Sequence, residues 1–398
     1  MKIAVVCSHV GSHGIQFSGQ HGGGELFTFA VLKALDQFYD VTAVIPNGVY
    51  PAFDQAADYG MDLYGIKWKP MGDTTDWLRS FDVMLAINHD WLPAPICRRN
   101  ILARFFPQHP EWDVSGYDTF IAISKFTADW IKKYQGVEAD VVYPPVPIQD
   151  IEPVQWDRKQ NIILCVGRFF DVPGGNNKNH IVVVNAFKDM MLPDWQLHFV
   201  GAVQHPEYYQ RVREAVGDDR RIVFHHNIVR QEYIHLLQSA KFIWAATGYQ
   251  AQKPSSREHY GVFAVEGMAA GCVPIVHNSG GTPEVGCLVW DEPDELISET
   301  TRLIGDNEMA MALSHQLAEK AQEFSFVPQA QRLVEVIEKP IAIYHHPEKA
   351  RIYVGAVAPQ KIKVALLSDS PDITTGFGVV SRMLGTGLKT IGYNVFSF

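Results

Sequence analysis

The chain has 398 residues, of which 47% are hydrophobic and 20% are charged, and this is enough for two domains that each bury a core. Its formal net charge of −10 argues against a protein built mainly to coat nucleic acid, although a local basic groove is compatible with that total. The five cysteines are widely spaced and form no CxxC pair, which favours buried free thiols over disulfides or a zinc site.

The chain shows no targeting or membrane signal of a familiar kind. The apolar run at residues 1–6 meets Ser8 and His9 almost at once, which is unlike a secretory signal. No run approaches the roughly 20 apolar residues that span a bilayer. We therefore expect a cytoplasmic protein without stable membrane insertion.

Apolar runs alternate with helical patterns through the first part of the chain. Residues 2–7 (KIAVVC) are typical of a buried parallel strand, and a Gly-rich loop and a helical pattern over residues 26–35 follow. Further strands are predicted at residues 41–45, 83–87, 119–123 and 140–143, with a helix over residues 126–134. This alternation predicts a doubly wound parallel sheet, which we assign to a domain at residues 1–150.

A second domain is predicted after a proline-rich segment at residues 144–153, which is typical of a hinge. Strands are then predicted at residues 161–166, 195–200, 222–225, 242–246 and 273–277, a helix at 181–190, and a closing helix at 329–338. We assign residues 151–340 to this domain. Two such units joined by a hinge form a cleft, and ligands bind outside the carboxyl ends of their strands.

The end of the chain has a separate pattern. Residues 341–360 are typical of a linker, and residues 361–398 are predicted to form a β-α-β unit with a strand at 361–367 and a helix at about 379–390. A single unit of this kind cannot bury both faces of its strands. We interpret it as the start of a further domain or as a segment docked on the existing sheet.

The segment that begins at Glu258 (EHYGVFAVE) carries the strongest chemical pattern. Tyr260 and Gly261 are predicted to open a helix that carries Glu266. Free backbone N–H groups at a helix start can hold a diphosphate, and glycine lets the backbone approach closely. Glu258 and Glu266 would then reach different parts of one ligand. The alternative is that both are solvated charges at helix ends.

This segment resembles the E-x7-E motif of GT-B-fold retaining glycosyltransferases of family 4, and the sequence GGTPEV at residues 280–285 resembles the Gly-Gly turn that follows it. The resemblance covers roughly residues 1–340 and implies an α/β fold of two Rossmann-like domains facing across a cleft. It implies that Glu266 binds the ribose hydroxyls of a nucleoside-diphosphate sugar and that Glu258 binds hydroxyls of the donor sugar. It further implies backbone contacts to the phosphates and the sugar from Tyr260, Gly261, Val262, Gly281 and Thr282.

Two basic residues resemble the basic pair of the same family. Arg168 follows the predicted strand at residues 161–166, and Lys178 follows the loop FFDVPGGNN. Two cations aimed at a diphosphate would stabilise the charge that builds on the leaving group. The loop is longer than the family's usual pattern, which affects Lys178 more than Arg168, and the alternative is that both are surface cations.

A glycine run at Gly22, Gly23 and Gly24 starts the first helix. Glycine there lets the backbone approach a phosphate or an acceptor, and the resemblance places this loop in the cleft, facing the transferred sugar. The spacing is not a clean GxGxxG, and no acidic residue clearly ends the second strand. Both features disfavour a nicotinamide cofactor.

One histidine is predicted to be catalytic together with Glu258, Arg168 and Lys178. His109, in FFPQHPEW after a predicted strand, aligns by position with the histidine that lies beside the sugar in related enzymes. His89, in NHDW, is the competing candidate, and a structural role is the alternative for either. No DxD-type metal site is present in the sequence, and the resemblance implies that neither a metal nor another cofactor is required.

The resemblance implies transfer with retention of configuration and without an enzyme nucleophile. The acceptor hydroxyl would attack on the face from which the diphosphate leaves, and the leaving phosphate would take the proton. The acceptor is a glycan or another hydroxyl-bearing molecule. The alternatives are a non-catalytic nucleotide-sugar-binding subunit and a GT-B-fold epimerase or phosphorylase. The sequence SDSPDITTGFG at residues 368–378 resembles the first loop of such an enzyme and predicts the start of a second transferase unit.

Overall fold

The first compact unit of the chain, Met1–Lys339, contains all of the candidate site residues. The structure is a computed structural model. It describes residues 1–7, 23–45, 56–57, 59–72, 75–88, 92–171 and 178–340, and the backbone of residues 363–366 and 394–397. Several predictions lie outside the described residues: those on Gly22, His89, the loop at 172–177, the linker at 341–360 and the motif at 368–378.

Seven described strands form the first sheet, in the order β3-β2-β1-β4-β5-β6-β7, with every neighbouring pair parallel. The strands are β1 (Lys2–Cys7), β2 (Asp40–Ile45), β3 (Lys67–Pro70), β4 (Val83–Asn88), β5 (Arg99–Arg104), β6 (Thr119–Ala122) and β7 (Asp140–Val141). Among the described residues, α1 (Gly23–Asp36) and α2 (Lys125–Gln135) are the helices with assigned bounds that accompany them, with a 3-10 turn at Asp76–Ser80. In β1 and β2 every residue after the first is buried, as expected of parallel strands covered on both faces.

Six described strands form the second sheet, in the order β10-β9-β8-β11-β12-β13, again with parallel pairs. The strands are β8 (Gln160–Val166), β9 (Gln196–Val200), β10 (Ile222–His225), β11 (Ala240–Ala245), β12 (Val273–His277) and β13 (Leu288–Trp290). The helices are α3 (His180–Asp189), α4 (Pro206–Val216), α5 (Arg230–Ser239), α6 (Val262–Ala269), α7 (Pro293–Gly305), α8 (Asn307–Ala321) and α9 (Phe326–Glu338). Short 3-10 turns lie at Trp156–Arg158, Pro254–Ser256, Thr282–Val285 and Gln322–Phe324.

Each sheet reverses its strand order next to its first strand. β1 lies between β2 and β4 in the first sheet, and β8 lies between β9 and β11 in the second. Ligands of open parallel sheets bind outside the carboxyl ends of the strands at such a reversal. The carboxyl end of β8 is Val166, so Arg168 lies just beyond the reversal of the second sheet.

The unit has two halves: the first half is built around the first sheet and the second half around the second sheet. Helix α9 follows the second sheet in the chain, returns to the side of the first sheet and joins the two halves. The Tyr39 hydroxyl donates to Glu338 Oε1 at 2.6 Å, and Arg99 Nη1 donates to the carbonyl of Lys339 at 2.6 Å. Lys339 Nζ also lies 3.0 Å from Asp140 Oδ2. The end of the unit is therefore fixed to β5, β7 and the turn after α1.

The predicted α/β fold with two parallel-sheet, Rossmann-like halves is confirmed, and its errors are local. The strand predicted at residues 140–143 ends at Val141. The edge strands β3 and β13 were not predicted because neither has a continuous apolar and buried run, as Val289 in β13 shows with 42% exposure. The five cysteines are free and buried, as the sequence predicted.

The second compact unit is Pro340–Phe398. Two strands are described in it, β14 (Lys363–Leu366) and β15 (Asn394–Ser397), and they pair in parallel. The strand predicted at residues 361–367 is therefore observed, whereas the helix predicted at 379–390 lies outside the described residues. Across the part of the chain that the structure describes, no helix combines the length and the apolar character needed to cross a membrane.

Candidate functional site

Helix α6 begins at a left-handed glycine. Gly261 precedes its first residue and has a φ of 92°, a conformation that costs other residues free energy because of their Cβ atom. A Cβ at this position would also lie only 2.7 Å from Thr282 Cγ2. Gly261, as the N-cap residue, has no side chain that could cap the first N–H groups of α6, and a helix start of this kind can offer backbone donors to an anion. Phosphate binding there stays a prediction.

Glu258 and Lys178 form a partly buried ion pair immediately before α6. Lys178 Nζ donates to Glu258 Oε2, and the two side chains are 17% and 22% exposed, respectively. Burial raises the pKa of the Glu258 carboxyl, but the charge and the hydrogen bond of Lys178 outweigh this effect, and its pKa lies below the ordinary value. The pair therefore holds Glu258 as a carboxylate.

Arg168 completes a cationic cluster at the carboxyl end of β8. Its guanidinium carbon lies 5.5 Å from the centre of the Phe170 ring, and its charge contributes to lowering the pKa of Glu258. The Lys178 side chain passes over Gly167, where a Cβ would lie 3.1 Å from Lys178 Cγ. The structure thus brings Arg168, Lys178 and Glu258 together, although a long loop separates the two cations in the sequence.

Glu266, in the interior of α6, is 5% exposed and has two protein partners. Arg230 Nη1 donates to its Oε1 at 2.9 Å, and the Tyr233 hydroxyl donates to its Oε2 at 3.0 Å. Burial raises the pKa of Glu266, and the bonds from Arg230 and Tyr233 offset this only in part. The alternative of solvated helix-end charges does not fit these contacts, because Glu266 is buried and Glu258 is partly buried, and each is paired with a cation.

Arg230 joins Glu266 to the segment that was predicted as a hinge. Its Nε donates to Asp150 Oδ2 at 2.8 Å and its Nη2 donates to the carbonyl of Pro147 at 2.6 Å. Arg230 and Tyr233 were not found by sequence analysis. They lie on α5, far from Glu266 in the sequence, and no motif marks them.

Residues 257–261, between the 3-10 turn Pro254–Ser256 and α6, form the loop of Glu258. The Gly280–Gly281 turn packs backbone to backbone against this loop. The Gly281 N–H donates to the carbonyl of Glu258 at 2.8 Å. A Cβ at Gly280 would lie 1.9 Å from that same oxygen, and a Cβ at Gly281 would lie 2.1 Å from the carbonyl oxygen of His259. The two glycines are therefore required by close approach, and the turn holds Thr282 against Gly261.

The start of α1, in the first half, faces the start of α6. A Cβ built on Gly23 would have Val262 Cγ2 as its nearest contact, at 4.0 Å. The carbonyl of Gly24 accepts a hydrogen bond from Thr28 Oγ1 at 3.0 Å within α1. Two helix N-termini thus approach each other between the halves, and both favour negative charge. Contacts of Gly23, Gly24 and Val262 with a donor stay predictions.

His109 lies in the loop after β5 and contacts that loop. Its Nδ1 is 3.1 Å from Glu111 Oε1, and its ring stacks on Trp112 with the centroids 4.3 Å apart. The side chain is 41% exposed. These contacts do not join His109 to Glu258 or Arg168, and its catalytic role stays a prediction.

Two aromatic residues near the site pack within the protein. Trp244 in β11 is fully buried, and its Nε1 donates to Thr300 Oγ1 at 3.1 Å. Tyr260 is 3% exposed and stacks on Tyr143 with the centroids 5.7 Å apart. Their rings therefore serve packing rather than stacking on a sugar or base.

Among the described residues, no cluster of three or more His, Cys, Asp or Glu side chains has an arrangement that could bind a metal ion.

Comparison with known proteins finds similarity in the second half of the unit. Residues 148–323 match the sequence model of a family described as "Glycosyl transferases group 1". The chain is 28% identical over 226 residues to GDP-Man:Man(3)GlcNAc(2)-PP-Dol alpha-1,2-mannosyltransferase of Neurospora crassa, covering 51% of this chain and 39% of that protein. It is 26% identical over 176 residues to the Homo sapiens protein of the same name, covering 39% of this chain and 32% of that protein. The chain therefore spans about two fifths or less of the length of these curated relatives.

Among solved structures, sucrose-phosphate synthase from Thermosynechococcus elongatus superimposes with a TM-score of 0.59 at 16% identity, over 84% of this chain and 98% of that protein. A likeness at this identity shows the fold, and it is the GT-B arrangement of two Rossmann-like halves. Within that fold, residues 148–323 are the part of the chain that is similar to the glycosyl transferases group 1 family.

Proposed function

We propose that the chain transfers a sugar from a nucleoside-diphosphate sugar to an acceptor hydroxyl, with retention of configuration. The observation that carries this proposal is the Glu258–Lys178 ion pair beside Arg168, at the start of α6, whose N-cap residue is Gly261. The match of residues 148–323 to the glycosyl transferases group 1 family supports it. We further propose membership of family 4, and the E-x7-E spacing of Glu258 and Glu266 supports this.

The donor diphosphate would lie at the start of α6, between the backbone N–H groups and the two cations. Helix N-termini bind phosphates because their N–H groups are free and the helix dipole favours negative charge. Glu266 would hold the ribose. A carboxylate offers about four lone-pair positions, and Arg230 and Tyr233 take one on each oxygen, so acceptor capacity remains for two ribose hydroxyls.

The reaction then depends on positioning and on charge stabilisation. As the glycosidic bond breaks, negative charge builds on the leaving diphosphate, and Arg168 and Lys178 stabilise it. Glu258 accepts hydrogen bonds from hydroxyls of the donor sugar. The acceptor hydroxyl attacks from the side of the leaving group, and a phosphate oxygen takes its proton. The cleft between the two halves holds the acceptor in line, with His109 as a candidate on that side.

The relatives suggest the first substrates to test. Their names describe transfer from GDP-mannose to a dolichol-linked glycan, so we propose GDP-mannose as the donor and a mannose-terminated glycan as the acceptor. No metal or other cofactor is part of this proposal. A cytoplasmic location stays a prediction from the sequence.

Thermal unfolding with GDP-mannose, UDP-glucose and the free nucleoside diphosphates tests the donor site. A ligand at about 100 times its Kd stabilises the folded state by about 2.7 kcal/mol, and Glu266→Ala should abolish this stabilisation. Incubation of the stabilising donor with a mannose-terminated glycan should then release nucleoside diphosphate and give an α-linked product by NMR.

The other outcomes would each replace the proposal. Binding without turnover would indicate a non-catalytic nucleotide-sugar-binding subunit. An isomerised donor would indicate an epimerase, and a sugar 1-phosphate formed with free phosphate would indicate a phosphorylase. Stabilisation by none of the nucleotides would refute the donor site.

A further inference from the structure

Glu284, in the 3-10 turn Thr282–Val285 of the second half, caps a helix of the first half. Its carboxylate accepts from the backbone N–H groups of Lys125 and Phe126, both at 2.7 Å, and from the Tyr143 hydroxyl at 3.1 Å. The first N–H groups of a helix have no partner within the helix, and a negative charge there is favourable. The Ser124 side chain accepts from the Thr127 N–H, so Ser124 and Glu284 together satisfy the start of α2.

The turn that carries Glu284 also holds the loop of Glu258. The Gly281 N–H donates to the Glu258 carbonyl at 2.8 Å. On its other side, Gly281 lies so close to α2 that a Cβ would be 2.9 Å from Ser124 Cβ. The segment from Gly281 to Glu284 therefore contacts the loop of Glu258 and the first half at the same time.

A second contact joins the same loop to the first half. His259, next to Glu258 in the chain, stacks on Phe106 with the ring centroids 4.8 Å apart and an interplanar angle of 13°. Its ring also lies parallel to that of Phe126, 6.2 Å away. Phe106 is the second residue after β5, and Phe126 is one of the two residues whose N–H groups Glu284 caps. The loop of Glu258 is thus set against α2 by the Glu284 carboxylate and by the His259 ring.

We propose that Glu284 is a positioning residue, which sets the loop of Glu258 against the acceptor-side half so that the donor sugar and the acceptor meet in line. This inference rests on the proposed function. Glu284 does not occupy the predicted ribose site, because Glu266 is held separately by Arg230 and Tyr233. Loss of its carboxylate should therefore impair the transfer step much more than nucleotide binding.

The test compares Glu284→Gln with Glu338→Gln. Both substitutions alter a glutamate that joins the two halves. Glu338, however, is the last residue of α9 and accepts from the Tyr39 hydroxyl at 2.6 Å, so its bond does not involve the loop of Glu258. The glutamine at 284 would present an amide donor to one of the N–H groups of α2. A rate loss of up to about 100-fold accompanies a misplacement of about 1 Å, and we expect kcat with GDP-mannose to fall by about 10- to 100-fold in Glu284→Gln. Its donor KM should stay within about threefold, because uniform binding is retained.

Amide hydrogen exchange without ligand gives a readout that does not depend on activity. Peptides covering residues 258–262 and 280–282 should exchange faster in Glu284→Gln and at the wild-type rate in Glu338→Gln. If Glu284→Gln does not fold, Tyr143→Phe removes only the 3.1 Å bond and should change kcat and exchange in the same direction, by less.

Equal kcat and equal exchange in the two glutamine variants would overturn the positioning role. A loss of nucleotide affinity as large as the loss of kcat would also overturn it, because that pattern indicates general damage. If the wild type turns over no donor, the proposed function fails, and the exchange comparison still decides whether Glu284 holds the loop of Glu258.

Discussion

Replacing Gly281 by alanine tests whether the Gly-Gly turn is required by close packing. The backbone of Gly281 has a φ of −96°, which any residue adopts, so the substitution adds no conformational strain. Its Cβ, however, would lie 2.1 Å from the carbonyl oxygen of His259 and 2.9 Å from Ser124 Cβ. Ordinary contacts between carbon atoms are about 3.5–4.0 Å, so the turn and the loop of Glu258 must separate.

The cost follows from two terms. Overpacking of a tight contact costs about 1–3 kcal/mol, and separation weakens the bond from the Gly281 N–H to the Glu258 carbonyl, which adds about 1 kcal/mol. We therefore expect a loss of about 2–4 kcal/mol. The unfolding entropy of about 2.1 cal/mol/K per residue converts this loss, for the unit Met1–Lys339, into a fall in Tm of roughly 3–6 °C. Transfer activity should fall as well, because the displaced loop carries Glu258.

Gly305→Ala is the matched control. Gly305 is the last residue of α7, and a Cβ there would meet nothing within 4 Å. Alanine should be neutral or should stabilise the protein by about 0.4–1 kcal/mol through the unfolded state. Thermal unfolding and initial rates of both variants decide the matter. A Gly281→Ala protein with the Tm and activity of the wild type would refute the packing argument.

Three further substitutions have expected outcomes. Lys178→Met removes the ion-pair partner of Glu258, whose side chain is 22% exposed. The free energy of unfolding in urea should fall by about 2–3 kcal/mol, somewhat less than when a fully buried ion pair is broken. An unchanged urea midpoint would contradict a stabilising ion pair. The pKa of Glu258 in the folded protein lies below the ordinary value of 4.5. The stability that its ionised form contributes is therefore complete above pH 4.5 and is lost as the pH falls through the lower pKa of the folded protein. In Glu258→Gln, the free energy of unfolding should decrease less between pH 6 and pH 3 than it does in the wild type. Arg104 is 1% exposed, burial lowers its pKa to about 10, and its Nε and Nη1 have no hydrogen-bond partner among the described residues. Arg104→Met should therefore leave the free energy of unfolding unchanged or raise it, by up to about 1–4 kcal/mol; a clear fall in Tm would show that the guanidinium is stabilising.

The fold could be predicted because most of its central strands are continuous apolar runs. The exception is β5 (RNILAR), for which no range was predicted because arginines stand at both of its ends. Strands such as β1 and β12 lie in the middle of their sheets and are buried on both faces, so their composition alone identifies them. Edge strands have no such constraint. β3 is mostly exposed, and its residues carry no pattern that separates a short strand from a loop.

The site could be predicted only where its residues are close in sequence. Glu258 and Glu266 share one motif with the start of α6, and Gly261 is recognisable because a helix that starts in the left-handed conformation favours glycine. Arg230 and Glu284 depend on tertiary contacts, to Glu266 and to the N-terminus of α2 respectively. Their partners are set by how the elements pack, which the local sequence does not encode.

Three charged side chains of the candidate donor site have protein partners before a donor arrives. Lys178 is paired with Glu258, and Glu266 accepts from Arg230 and Tyr233. On the proposed function, a diphosphate must therefore compete with Glu258 for Lys178, and this competition lowers the affinity for a nucleotide without a sugar. A donor that carries its sugar offsets the loss, because its hydroxyls donate to the carboxylate that Lys178 releases. The ion pair thus favours intact donor over free nucleoside diphosphate, which is the discrimination that a transferase needs in order to release its product.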